Sequence, residues 1–396
     1  MTMIPNLRHR FRCMLFLQFL LIIGVMAQSP IPPEAKLEKV ATGFLQPEGP
    51  VWIDSLGLLL SDIAGNKIYR FSPADSTLTV FMNPSDSSNG MTLDLRGRII
   101  LTQMGLRRVS RREANGTITP LVSTYDGKRF NSPNDVVVKS DSSIYFTDPD
   151  FNIPPGEKAE LTFKGIYRIS PSGVLSLLDS SLDKPNGICF SPDESKLYVN
   201  ESAQHKIYVW DVAGDSLANK KLFYTTPLSG YVDGMKVDRD GNIYCSGPSG
   251  VWVVSPAGVY LDRIVMETPS NCNWGDADRK TLYITAGSSL YRIRLAATTK
   301  VHDHGSLFPE SHRLNANYPN PFNPETIISY QLTATSFVKL NVYDLTGREI
   351  ARLVDDERQA GAYSVRWNAS GLASGTYFYR LQAGSFDETK TMLLLR

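Results

Sequence analysis

The sequence predicts an all-β protein, a six-bladed β-propeller followed by a small Ig-like β-sandwich. Three observations carry this. Short alternating runs rich in Val, Ile, Tyr and Thr dominate, helix-period apolar faces are scarce, and Gly and Pro are frequent. A two-strand unit recurs six times at intervals of roughly 40 to 53 residues, the period of four-stranded propeller blades. Past Leu295 this period stops, and more closely spaced strands with Gly turns take over. A length of 396 residues suits two or three domains, and a net charge of +1 gives no reason to expect a nucleic-acid or acidic partner.

The chain opens with a processing signal. Arg8, Arg10 and Arg12 precede an apolar run over 14–26 that is short for a bilayer span, and Ala27 offers a small residue before a cut ahead of Gln28. Residues 1–27 are therefore expected to be a signal peptide, with an uncleaved anchor as the competing reading, and no stable transmembrane segment is expected in the mature chain. Beyond the signal, Cys189, Cys245 and Cys272 show no metal-type spacing. An odd count argues against a disulfide framework in an exported protein, so they read as small buried residues.

The propeller is expected over 36–295. Its hairpins are anchored by the runs 58–62, 98–103, 143–148, 196–201, 242–246 and 281–285. The stretch 128–149 shows the unit well: a polar entry at Asn134, a β-branched strand, a serine-rich turn and a second strand. Ten or eleven positions before Leu59, Ile99, Ile144, Leu197, Ile243 and Leu282, one in each run, lies one polar residue: Glu48, Asn89, Asn134, Asn186, Asp233 or Asn271. The first strand of a propeller blade lines the central channel, so equivalent entry positions converge on one channel mouth. A single Asn or Asp there is more often a turn cap. The recurrence in every blade favours a site.

Such a ring holds two carboxylates and four amides, with no thiol or imidazole. This donor set suits a hard divalent cation rather than a zinc site built from Cys and His: Ca²⁺ is expected first, with Mg²⁺, Mn²⁺ or Zn²⁺ as the alternatives. The propeller contains only His205, read as a surface turn residue. No Ser-His-Asp arrangement and no nucleophile elbow can be built without it.

At these residues the chain resembles the SMP-30/gluconolactonase/luciferin-regenerating-enzyme family of six-bladed propellers. The carrying segments are PEGPVW (47–52), SDIAGNKIYRF (61–71), NGMTLD (89–94), NSPNDVVVKSDSSIYFTDP (131–149), KPNGICFSPDESKLYV (184–199), VDGMKVDRDGNIY (232–244) and KTLYITAGSSLYRI (280–293). The resemblance implies a metal-dependent lactonase, with Glu48, Asn186 and Asp233 as ligands of one divalent ion. Asn134 would be a ligand or a substrate contact, Asp233 would also be the base, and Arg129 and Asn89 would contact substrate. Relatives often carry Glu-His where this chain has Gln103-Met104. The expected reaction is hydrolysis of a sugar lactone to the aldonic acid. Phosphotriester hydrolysis on the same site and a non-catalytic sugar- or peptide-binding propeller are the alternatives.

The polar tract 296–316, with His302, His304 and His312, reads as a linker rather than a metal site. The remainder, 317–396, holds about seven short strands separated by Gly turns. The motifs NYPNPFNPET, VYDLTGREI, GAYSVRWNASGLASGTYFYRL and KTMLLLR resemble the type A C-terminal sorting domain of the type IX secretion system. That resemblance implies the type IX machinery as partner and a secreted or cell-surface location, with an Ig-like adhesion or carbohydrate-binding module as the alternative.

Overall fold

The computed structural model describes residues 29–295, 312–315, 317, 319–332, 335–359, 361–384 and 386–395. The expected signal peptide and the linker residues His302 and His304 lie outside the described residues. No described helix is long and apolar enough to cross a membrane.

Six four-stranded antiparallel sheets form the blades of a propeller. Blade 1 consists of Pro47–Ile53, Gly57–Asp62, Lys67–Ser72 and Thr77–Met82, and blade 2 of Ser88–Leu93, Ile99–Gln103, Arg108–Arg112 and Ile118–Val122. Blade 3 follows with Val136–Val138, Ile144–Asp148, Gly165–Ile169 and Leu175–Asp179. Blade 4 is Pro185–Phe190, Lys196–Glu201, Lys206–Ala213 and Ser216–Thr225. Blade 5 is Met235–Val237, Ile243–Gly247, Gly250–Val254 and Tyr260–Val265. Blade 6 takes Pro269–Gly275, Thr281–Ala286 and Ser289–Arg294 from the end of the propeller, and its outermost strand, Leu37–Thr42, from the beginning. Leu37 pairs with Ile293 and Thr42 with Ser289, so backbone hydrogen bonds close the circle. Closure leaves no strand pair missing and needs no covalent link.

The second strands of blades 1, 2, 3, 5 and 6 are buried at every residue, because both faces pack on neighbouring blades. This is why they read as near-continuous apolar runs rather than strict alternation. Each of the six blade interfaces owns one apolar cluster. At the closing interface Trp52 of blade 1 stacks on Tyr283 of blade 6, with ring centroids 5.9 Å apart. Cys189 and Cys245 lie in the interface of blades 4 and 5 and Cys272 in that of blades 5 and 6, all buried as free thiols.

The C-terminal strands form a two-sheet sandwich. One sheet contains Arg313–Leu314, Glu325–Leu332 and Gly361–Asn368; the other runs Glu349–Arg358, Ser336–Tyr343, Gly375–Ala383 and Phe386–Leu394. Ile328, Tyr330, Leu340, Val342, Trp367, Tyr379 and Leu381 supply its core. Alternate residues of Ser336–Tyr343 and Gly375–Ala383 face inward, the period of a strand with one wet face.

Candidate functional site

The first strand of each blade touches the first strand of the next, around the full circle. Two pairs of the polar entry residues meet directly. Asn271 Nδ2 donates to Glu48 Oε2 at 2.9 Å across the closing interface. The Asn186 side chain hydrogen-bonds the Asp233 carboxylate. Glu48, Asn89, Asn134, Asn186 and Asn271 are all buried, and Asp233 is half-buried.

The glycines that follow four ring residues explain how they come so close. A Cβ on Gly49 would lie 2.0 Å from the Asn89 carbonyl oxygen, and one on Gly187 would lie 2.4 Å from that of Asp233. Gly49 also sits at φ +48°, a region that side chains disfavour. A Gly49→Ala variant is accordingly expected to lose about 2–3 kcal/mol of stability, read as a lower thermal midpoint.

A second device fixes the ring carbonyls. Ser61 Oγ donates to Asn89 O, Thr102 Oγ1 to Asn134 O and Thr147 Oγ1 to Asn186 O, each at 2.7 Å. Asn200 Nδ2 donates to Asp233 O in the same way. In each case the second strand of one blade holds the ring residue of the next. The signal was present in the sequence as a polar residue near the end of four apolar second strands.

The electrostatics are those of two acids in a confined space. Burial pushes the Glu48 carboxyl up to about 7, against the Asn271 amide and the Gly49 N–H, which favour its charged form. Burial, and then the charge of Glu48, hold the Asp233 carboxyl well above the ordinary range. Two acids that resist simultaneous ionisation form a place where a cation is favoured. The Asn186 Oδ1 atom is buried without a hydrogen-bond partner, an oxygen available to a hard ion. These residues fit one oxygen-liganded divalent ion. Among the described residues no three His, Cys, Asp or Glu side chains come together, so the donors on offer here are two carboxylates and amides.

Two polar channel residues escaped the sequence reading. Asp135, 3% exposed at its side chain, faces the Lys236 ammonium, 17% exposed, at 3.9 Å. Lys236 Nζ also donates to Met235 O at 2.9 Å and to Asn271 Oδ1 at 3.4 Å. Against the pull of burial, the Asp135 carboxylate holds the Lys236 ammonium above its ordinary range. The signal available was a Lys inside the apolar first strand of blade 5.

Arg129 is placed differently from the ring. It belongs to a small separate hairpin, Thr124–Tyr125 with Lys128–Arg129, and its guanidinium pairs with Glu157 at 2.9 Å and with Glu160. Gln103 donates to Ser85 O at 3.2 Å and accepts from Arg108 at 2.8 Å. Met104 is buried, with its sulfur 3.6 Å from Asn89 Nδ2 and 3.8 Å from Asn152 Nδ2. At this position the chain thus places a thioether against a ring amide. His205 is a half-buried residue of the turn after the second strand of blade 4, at φ +46°.

A closed propeller of six four-stranded blades, with acids and amides at the entry of its first strands, defines the class: a six-bladed β-propeller. The chain belongs to the SMP-30/gluconolactonase/LRE-like family, whose region matches residues 46–288. The gluconolactonase of Zymomonas mobilis is 32% identical over 290 residues, 65% of this chain and 81% of that one. The structure of a gluconolactonase from Xanthomonas campestris superposes with a TM-score of 0.64 at 33% identity, over 67% of this chain and 92% of that one. The calcium-binding protein regucalcin from Agrobacterium tumefaciens shares the fold, with a TM-score of 0.57 at 17% identity over 66% of this chain and 93% of that one. The protein is a hydrolase of the lactonase type. Residues 316–394 match the secretion system C-terminal sorting domain, so the chain also carries a type IX address for the cell surface or the medium.

Proposed function

We propose that the ring hydrolyses a sugar lactone to its aldonic acid, with Asp233 as the base and one divalent cation, Ca²⁺ before Mg²⁺ or Mn²⁺, held by Glu48, Asn134, Asn186 and Asp233. The observation behind this reading is the raised, mutually repelling pair of carboxyls, Glu48 and Asp233, beside an unpartnered Asn186 oxygen. When bound, the cation supplies Lewis-acid stabilisation of negative charge at the reacting carbonyl.

Asp233 then takes the proton of the attacking water. A carboxyl raised toward neutrality is a better base than an ordinary aspartate, because proton transfer to it is less uphill. Asn134 and Asn89 donate to the sugar oxygens, with Asn89 limited by its contact to Met104. Glu48 holds charge and shape without exchanging a proton with substrate. Arg129 contacts substrate only if it releases Glu157 and Glu160, so its contribution is the smallest of the set. A panel of aldonolactones, scored by acid release after chelation and restoration of each cation, tests the reading. Cation-independent turnover, or none on any lactone, would count against it.

Export in this reading begins with a signal peptide over 1–27 and ends with the C-terminal sandwich as address. A chain truncated near Ala297 is expected to keep lactonase activity in lysate and to be absent from medium and cell surface, measured by fractionation and immunoblot. Normal surface delivery of that truncation would remove the addressing role.

A further inference from the structure

We propose that Asp62, Asp148 and Glu201 are positioning residues, each clamping the chain segment that delivers one ring residue to the site. This rests on the ring being the reaction centre.

These three acids end the second strands of blades 1, 3 and 4 and are 2%, 0% and 1% exposed. Each accepts two consecutive backbone N–H groups from the entry of its own blade. Asp62 Oδ1 accepts from Gln46 N at 2.8 Å, and its Oδ2 from Leu45 N at 3.1 Å. Asp148 accepts from Asn131 N at 2.8 Å and Ser132 N at 2.7 Å. Glu201 accepts from Asp183 N at 2.7 Å and Lys184 N at 2.8 Å. In all three blades the donors stand third and second before the ring residue, Glu48, Asn134 or Asn186.

The residue between clamp and ring is the same each time: Pro47, Pro133 and Pro185. Proline has no N–H to satisfy and a fixed φ. The carboxylate takes the two donors before it, and the proline carries that fixed geometry to the ring residue. Pro47 and Pro185 lie directly opposite Asp62 and Glu201 in the strand register. Blades 2, 5 and 6 have neither part. Their equivalent second-strand residues are Gln103, Gly247 and Ala286, and Ser88, Val232 and Ser270 precede their ring residues.

The fold therefore tolerates an amide or no side chain at the clamp position. A buried carboxylate costs desolvation that an amide does not. Acid and proline occur together only in the blades bearing Glu48, Asn134 and Asn186. That coincidence is accounted for if those three oxygens must be held in fixed geometry, while Asp233 is left free of such a clamp.

The test compares Asp148→Ala and Glu201→Ala with Asp94→Ala. Asp94 also accepts two backbone N–H groups, from Arg96 and Arg98 at 2.9 Å each, at the turn joining the first and second strands of blade 2. All variants are made in the full chain. Thermal midpoint, kcat and KM on a hydrolysed aldonolactone, and Ca²⁺ affinity by calorimetry are measured. The clamp variants are expected to lose about tenfold or more in kcat/KM and to bind Ca²⁺ more weakly. Asp94→Ala is expected to lower the midpoint comparably and change neither. Glu201→Gln, which keeps one acceptor oxygen, is expected to recover part of the loss. The proposal is overturned if both clamp variants stay within about twofold of the parent in kcat/KM and in Ca²⁺ affinity, or if Asp94→Ala matches their losses. If Asp233→Asn retained turnover, the assignment of Asp233 as base would fail, and the clamps would still be decided by Ca²⁺ affinity.

Discussion

An Asp233→Asn variant is expected to lose about 10²- to 10⁴-fold in lactone turnover, the range for removal of a general base, while folding at least as stably as the parent at pH 8. Both halves follow from the same environment. Burial and the Glu48 charge disfavour ionised Asp233, so the neutral amide resembles the form the fold prefers. Asn at this position still accepts one hydrogen bond but takes up no proton. Steady-state assays on the best lactone, with cation saturating, check the first half; thermal denaturation checks the second. An active Asp233→Asn enzyme would end the assignment of the base.

The pH dependence has a definite sign. Glu48 is near 7 in the folded chain against 4.5 in its ordinary state, so the folded state binds its proton more tightly than the unfolded state. The stabilisation from this group is full below about pH 4.5 and is lost as pH rises toward 7, a change on the order of 3 kcal/mol. Asp233, also raised, acts in the same direction. A cation that pairs with both carboxylates opposes the loss. The increase in thermal midpoint on adding Ca²⁺ to EDTA-treated protein should therefore be larger at pH 8 than at pH 5, and smaller in Glu48→Gln at either pH. Equal increments at both pH values would separate cation binding from these two acids.

The fold was readable because a propeller repeats. Each blade buries its second strand on both faces, so the same apolar run had to appear six times, and the polar entry residue could be found by counting back from it. Closure was not readable. The pairing of Leu37–Thr42 with Ser289–Arg294 joins distant parts of the chain, and no local pattern encodes it. The clamp acids were hidden for another reason. Asp62, Asp148 and Glu201 look like strand-ending polar residues at solvent-facing turns, yet all three are buried against backbone donors. Arg129 shows the converse. A substrate role for it came from resemblance, whereas its surroundings are two glutamates whose approach depends on the 157–160 loop, a segment with no repeat to align it.

Lys236→Met is expected to cost about 2–4 kcal/mol and to lower the thermal midpoint by roughly 5–15 °C. The ammonium faces Asp135 and donates to the carbonyl of Met235 and to Asn271 Oδ1. Methionine fills similar volume but leaves the Asp135 carboxylate without its cation in a channel where that side chain is 3% exposed. The loss is set below that for a fully dry pair because Lys236 keeps 17% of its exposure. The loss should be recoverable: Lys236→Met with Asp135→Asn removes both charges, and the double variant should regain more than half of the stability. Catalysis should respond by a separate route, because Lys236 holds Asn271 and Asn271 donates to Glu48. With that chain broken, Glu48 has a less firmly oriented partner, so cation affinity should fall in the single variant and stay low in the double. Stability restored without cation affinity would assign two tasks to one lysine: balancing Asp135 and, through Asn271, orienting Glu48. Restoration of both would leave the ion pair as its whole role.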